Sequence, residues 1–277
     1  MRHAPKRGVD ATLRNAVEPI LSAVRAHRFG HGEGGSAPSD GEAEADVLAA
    51  VEREAAAVHK RLARDGGVFA AEFLGATGSG KTALVEALLD RRPDGERAAV
   101  IAGDVAGDDD ATRYRSHGVP VVDVTTGTDC HLDPARVGRA IDELDLGGLD
   151  RLFVENVGNM VCPADFPLGA SLRVVVVSVT EGDDVVRKHP LVFQACDLVV
   201  INKTDIAGAV GADVARMRED ARAIAPETPV VATSAETGAG IDRLRRLLDR
   251  GPESHGDGYD HDHDHGSGAN RADERRR

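Results

Sequence analysis

The chain has 277 residues, 41% of them hydrophobic, which suits one domain of about 200 residues with extensions. Its formal net charge of −13 argues against nonspecific binding to nucleic acid. No apolar run is long enough to span a membrane, no secretory leader is visible, and three widely spaced cysteines do not make a disulfide framework. A cytoplasmic location is the simplest expectation. Aromatics make up 3% and tryptophan is absent, so the core is expected to be built from Val, Ala and Leu.

Residues 1–43 stand apart. Leu13, Val17, Ile20, Leu21 and Val24 have helical spacing broken by Pro19, and a Gly-, Ser- and acid-rich linker follows. Glu42 to Arg64 reads as a helix with Val47, Leu48, Val51, Ala55, Val58 and Leu62 on one face. Strands and helices then alternate. The strand runs are Val68–Leu74, Ala98–Ala102, Pro120–Val124, Arg151–Glu155, Leu172–Val179, Leu198–Asn202 and Pro229–Thr233. The helical runs are Lys81–Asp90, Ala111–His117, Pro134–Leu144, Asp213–Ala225 and Ile241–Asp249. Several strands are continuously apolar, as in a mostly parallel sheet with helices on both faces. The expected fold is therefore α/β. The domain comprises residues 44–250 with the preceding helix, and the Asp- and His-rich tail 251–277 is expected to be disordered.

The most informative stretch is Gly75-Ala-Thr-Gly78-Ser79-Gly80-Lys81-Thr82, between an apolar strand and a helix. It fits the phosphate-loop pattern in its required context. Glycines let several backbone N–H groups point at one phosphate chain, and the helix start adds its positive dipole end. Lys81 is expected to reach the β- and γ-phosphates, and the Thr82 hydroxyl to bind Mg²⁺.

Asn202-Lys203-Thr204-Asp205 follows an apolar strand at its C-terminal end, where ligands of open α/β sheets sit. A carboxylate at Asp205 can accept two hydrogen bonds from guanine, a pair that adenine does not offer. Ser234 and Ala235 end the next strand and can supply a backbone N–H to the guanine O6. GTP is the expected nucleotide. Asp104 is placed where a switch segment touches Mg²⁺, Glu155 where it holds a Mg²⁺-bound water, and the Gly158 N–H where it senses the γ-phosphate. No glutamine is positioned to orient water, so intrinsic hydrolysis is expected to be slow.

Cys130-His131 follows the third strand, and Cys162 lies four residues beyond Gly158. Two thiolates and an imidazole suit Ni²⁺ or Zn²⁺. Three ligands underfill a site, so a two-fold homodimer is expected to complete it. Cys196 reads as a small buried apolar residue. In the tail, His261, His263 and His265 alternate with aspartates, a pattern able to hold Ni²⁺ loosely.

At these residues the chain resembles the hydrogenase nickel-incorporation GTPases called HypB, of the SIMIBI group of P-loop GTPases. The matching stretches are GATGSGKTALVEALL, GVPVVDVTTGTDCHLD, LFVENVGNMVCPADFPLG, VVVSVTEGDD, DLVVINKTD and SAETGAGID. The resemblance implies GTP hydrolysis, nucleotide-linked dimerisation, and delivery of Ni²⁺ to the large subunit of [NiFe]-hydrogenase with a small zinc protein, HypA. It carries the metal ligands of the family's G domain to Cys130, His131 and Cys162. Residues 1–43 hold no cysteine, so the N-terminal cysteine-rich nickel motif of some members is absent. The alternatives are a related GTPase serving urease or a cobalamin-dependent mutase, and a non-enzymatic nickel store.

Overall fold

A computed structural model describes residues 40–65, 67–104, 107–127, 131–160 and 166–250, with side chains from residue 48 onward. Seven strands form one sheet: β1 (Phe69–Leu74), β2 (Ala98–Asp104), β3 (Val121–Thr125), β4 (Arg151–Glu155), β5 (Leu172–Ser178), β6 (Leu198–Asn202) and β7 (Val230–Ala232). Their order is β3-β2-β4-β1-β5-β6-β7, and every neighbouring pair is parallel. The helices are α1 (Asp40–Asp65), α2 (Lys81–Asp90), α3 (Asp109–Arg115), α4 (Pro134–Asp142), α5 (Val185–Lys188), α6 (Pro190–Gln194), α7 (Ala207–Val210), α8 (Val214–Ile224) and α9 (Ile241–Arg250).

Strand alternation divides the core between two faces. Ala71, Phe73, Val100, Phe153, Val174, Val176 and Val200 pack with Leu84 and Leu88 of α2, Tyr114 of α3, and Leu244 and Leu248 of α9. On the opposite face Ala70, Ile101, Leu152 and Val154 pack with Val58 and Leu62 of α1 and Ile141 of α4. Farther along that face, Val175, Val177, Val199 and Ile201 meet Phe193 of α6 and Met217 of α8. Val, Ala and Leu supply most of this core, as composition predicts. Phe73, Tyr114, Phe153 and Phe193 are nevertheless among its largest fully buried side chains, because the few aromatic residues are concentrated inside.

All seven expected strands are present; β4 and β6 match at both ends, and the others shift by one or two residues. β2 runs on to Asp104 because Ala102, Gly103 and Asp104 pair with Asp123, Val124 and Thr125 of β3; Asp104 thus ends the strand instead of following it. The short helices α5, α6 and α7 were not expected from the sequence. Four or five residues are about one turn, too few to display a helical period. The sheet places the loops after β1, β4 and β6 at one edge, around the central strand β1.

Candidate functional site: a phosphate loop joined to a second loop pair

The phosphate loop links β1 to α2. Gly80 caps α2 in the left-handed region, and a Cβ there would overlap Asn202 Nδ2. Glycine therefore lets the loop after β6 close on the phosphate loop. Asn202 Nδ2 donates to Ser79 O at 3.1 Å. Its Oδ1 accepts from Thr233 Oγ1 at 3.1 Å and from Ala235 N at 3.3 Å. One buried amide thus ties together the phosphate loop, the Asn202–Asp205 loop and the Ser234–Ala235 loop. Lys203 takes a left-handed backbone, with φ 61°, and its Nζ donates to Gly78 O at 2.6 Å. Asp205 is exposed on the turn Thr204–Ile206, in a position to accept hydrogen bonds from a ligand.

Lys81 Nζ donates to Gly75 O at 3.1 Å and to Ala76 O at 3.3 Å, and lies 4.0 Å from Glu155 Oε1. Burial pushes Lys81 below its ordinary pKa and Glu155 above its own, while their mutual attraction opposes both shifts. A bound phosphate chain would favour the charged lysine. Thr82 Oγ1 donates directly to Glu155 Oε1 at 3.0 Å, and Tyr114 of α3 donates its hydroxyl to Glu155 Oε2. Asp104, Asp110 and Glu181 add negative charge around Lys81. The sequence reading missed Tyr114, whose register on a seven-residue helix has no local signature.

The loop after β4 docks on the phosphate loop. Thr77 Oγ1 donates to Gly158 O at 3.1 Å, and Gly75 forms an isolated antiparallel bridge with Asn159. The same loop reaches the loop after β3. The His131 ring stacks on Phe166, with centroids 4.3 Å apart and planes 17° apart. Leu132 N donates to Asn156 Oδ1 at 2.9 Å. Cys130, Cys162, His261, His263 and His265 lie outside the described residues. Cys196 is buried, as expected.

Beneath these loops lies a buried ion pair. Glu72 is fully buried and accepts from Arg173 Nε at 3.2 Å and from Asn156 Nδ2 at 2.9 Å. Its signal in the sequence is a charged residue inside each of two otherwise apolar strands.

An all-parallel sheet with a phosphate loop at its centre, closed by an Asn-Lys-Thr-Asp loop, defines a P-loop nucleotide-binding protein. Residues 71–232 match the family described as "CobW/HypB/UreG, nucleotide-binding domain". Within that group, the chain belongs to the HypB family of hydrogenase maturation factors. It is 47% identical over 205 residues to the probable hydrogenase maturation factor HypB of Methanocaldococcus jannaschii, covering 74% of this chain and 92% of that one. It is 39% identical over 252 residues to HypB of Escherichia coli K12, covering 88% and 86%. Among solved structures, HypB of Archaeoglobus fulgidus superposes with a TM-score of 0.66 at 42% identity, over 72% of this chain and 99% of that one. HypB of Helicobacter pylori, solved in complex with nickel, superposes with a TM-score of 0.69 at 34% identity, over 73% and 94%. No helix among the described residues is long and apolar enough to cross a membrane.

Proposed function

We propose that this chain is a GTP-hydrolysing nickel metallochaperone that delivers Ni²⁺ to the large subunit of [NiFe]-hydrogenase. The observation that carries the reading is the His131–Phe166 stack. It joins the loop after β3, which contains Cys130, to the loop after β4, which contains Cys162 and leaves the sheet at Glu155, with Gly158 beside the phosphate loop. Nucleotide state and metal ligands therefore share one piece of chain. Cys130, His131 and Cys162 are the proposed ligands of Ni²⁺, the cargo; the same donor set accepts Zn²⁺.

In this reading Gly75, Gly78, Ser79, Gly80, Lys81 and Thr82 hold the phosphates, Gly158 meets the γ-phosphate, and Asn202, Lys203, Asp205, Ser234 and Ala235 hold guanine. Thr82 and Asp104 supply oxygen donors that fit a hard cation such as Mg²⁺, and Glu155, 3.0 Å from Thr82 Oγ1, is placed to hold a Mg²⁺-bound water. When bound, Mg²⁺ would neutralise phosphate charge. Lys81 orients the phosphate chain, and Asn202 keeps the base-binding loops in register with it. With no glutamine to orient water, turnover is slow. A metal that binds one nucleotide state more tightly shifts nucleotide affinity by the same factor.

A cytoplasmic homodimer working with a HypA-type zinc protein fits this role. Ile206 and Val210, beside Asp205, are exposed large apolar residues that suit a subunit contact near the nucleotide. Residues 1–43 act as an extension, 44–250 as the working domain, and 251–277 as a tail whose histidines hold Ni²⁺ weakly. Nickel titration with GDP and with a non-hydrolysable GTP analogue tests the reading, with Cys162→Ala as control. Unequal affinities that vanish in the control support it. Equal affinities in the two states overturn it. Deleting 251–277 and counting bound Ni²⁺ tests for a storage role.

A further inference from the structure

Glu155 and Asn156 are consecutive, and alternation along an extended chain sends their side chains to opposite faces of the sheet. Glu155 meets Thr82 and Tyr114 on the face of α2 and α3. Asn156 turns to the face that carries Glu72 and Leu132, and it is 1% exposed. Its Oδ1 accepts from Leu132 N and from Val157 N, both at 2.9 Å. Its Nδ2 donates to Glu72 Oε1 at 2.9 Å, which settles the orientation of the amide.

Glu72 is itself immobilised. Arg173 grips it through Nε, donates its backbone N–H to Asp197 Oδ2 at 2.8 Å, and donates Nη1 to Ala195 O at 3.3 Å. Asn156 also continues the β4 pairing, with its N–H on Phe73 O at 3.0 Å. On the far side, Leu132 is fully buried, and its side chain presses on Gly103, where a Cβ would lie 2.8 Å from it. The residue after His131 is thus pinned twice, by its side chain in the core and by its N–H on Asn156. A buried N–H without that acceptor would be left unsatisfied, so the loop has a reason to stay on it.

We infer that Asn156 is a positioning residue, which sets the place of the His131 loop relative to the phosphate-sensing end of β4. Any displacement of the Glu155–Asn156 backbone reaches both faces together: Thr82 through Glu155, and His131 through Leu132. The inference rests on the nickel reading for its functional consequence, but the joint itself does not. No binding role is assigned to Asn156; it acts through the loop that it holds.

The experiment uses the full chain as wild type, Asn156→Ala, the double variant Asn156→Asp with Glu72→Gln, and Cys162→Ala. Amide exchange at Leu132 measures the joint without nickel. Ni²⁺ titration with GDP and with a non-hydrolysable GTP analogue measures its consequence. Asn156→Ala is expected to speed Leu132 exchange, to lose on the order of tenfold in nickel affinity and to equalise the two nucleotide states, while GDP affinity is retained. Asn156→Asp made together with Glu72→Gln keeps both N–H acceptors, reverses the donor and acceptor of the bond to residue 72 and avoids setting two buried carboxylates against each other; it is expected to retain Leu132 protection and nickel affinity. If Asn156→Ala does not fold, Asn156→Ser carries the same expectation, because its shorter hydroxyl does not reach Leu132 N. Unchanged Leu132 exchange in the alanine or serine chain overturns the inference. So does wild-type nickel affinity in both states, or an equal loss of nickel and GDP binding. If Cys162→Ala binds nickel as the wild type does, the nickel reading fails instead, and Leu132 exchange still decides the joint.

Discussion

Thr77 of the phosphate loop donates its hydroxyl to the carbonyl of Gly158, 81 residues later, at 3.1 Å. The approach is so close that a Cβ on Gly158 would overlap Thr77 Oγ1 and lie 3.0 Å from Thr77 Cα and N. Two of those three atoms are backbone, so a side-chain adjustment of Thr77 does not relieve the crowding. Gly158→Ala is expected to lift the loop after β4 off the phosphate loop and break the Gly75–Asn159 bridge. Amide exchange through Val157–Met160 should rise, with protection in the β1 and β5 strands unchanged. Retained protection at Asn159 would contradict this geometry.

Asp205 is exposed beside Lys203, whose Nζ is already committed to Gly78 O. Guanine would be read by two hydrogen bonds to the carboxylate, each worth about 1.5–3 kcal/mol because the acceptor is charged. Asp205→Asn replaces one acceptor oxygen with a donor that faces the guanine 2-amino group. GTP affinity should fall by a factor on the order of 10² to 10⁴. Xanthosine triphosphate, which presents a carbonyl in place of that amine, should bind the variant better than GTP does. A competition assay with a fluorescent nucleotide measures both, and unchanged GTP affinity would remove Asp205 from the base site.

The Glu72–Arg173 pair sits on the sheet face between two apolar clusters, with Glu72 fully buried. Burial pushes the Glu72 carboxyl above its ordinary range, with Arg173 and Asn156 opposing the shift. Glu72→Gln keeps an acceptor for Asn156 but removes the largest favourable charge acting on the buried Arg173. It should cost about 3–5 kcal/mol in denaturant unfolding. Replacing both residues with methionine should cost far less than the sum of the two single changes, because the buried guanidinium is then removed together with its main counter-charge.

Cys196 carries a pH dependence of predictable sign. Burial pushes its thiol far above the ordinary value of 9.0, with Arg173 acting in the opposite direction. The unfolded chain therefore releases this proton near pH 9 while the folded chain keeps it, and stability falls as pH rises past that point. The contribution is about 1.4 kcal/mol for each pH unit above it. Below pH 9 the thiol is protonated in both states, so none of this loss is expected at neutrality. Comparing alkaline unfolding of the wild type with Cys196→Ala isolates the thiol from other groups that titrate there, and the variant should show the shallower slope. Alkylation followed by peptide mass spectrometry should leave Cys196 unmodified in the native chain at pH 8 and modified in denaturant.

Local features of the fold and the site can be read from residue order alone. Apolar runs such as Leu172–Val179 and Leu198–Asn202 announce buried parallel strands, because both faces of such strands are covered. Gly75–Thr82 and Asn202–Asp205 are contiguous, so their chemistry is readable without knowing which other segments lie near them. The strand order β3-β2-β4-β1-β5-β6-β7 belongs to the tertiary structure, and with it the choice of which loops meet. It placed Thr82 against Glu155, 73 residues away, and Tyr114 against the same carboxylate. It also set Asn156 between Glu72 and Leu132, and the His131 ring on Phe166. Contacts of that kind arise from the packing of distant segments in three dimensions, and no period or motif along the chain encodes them.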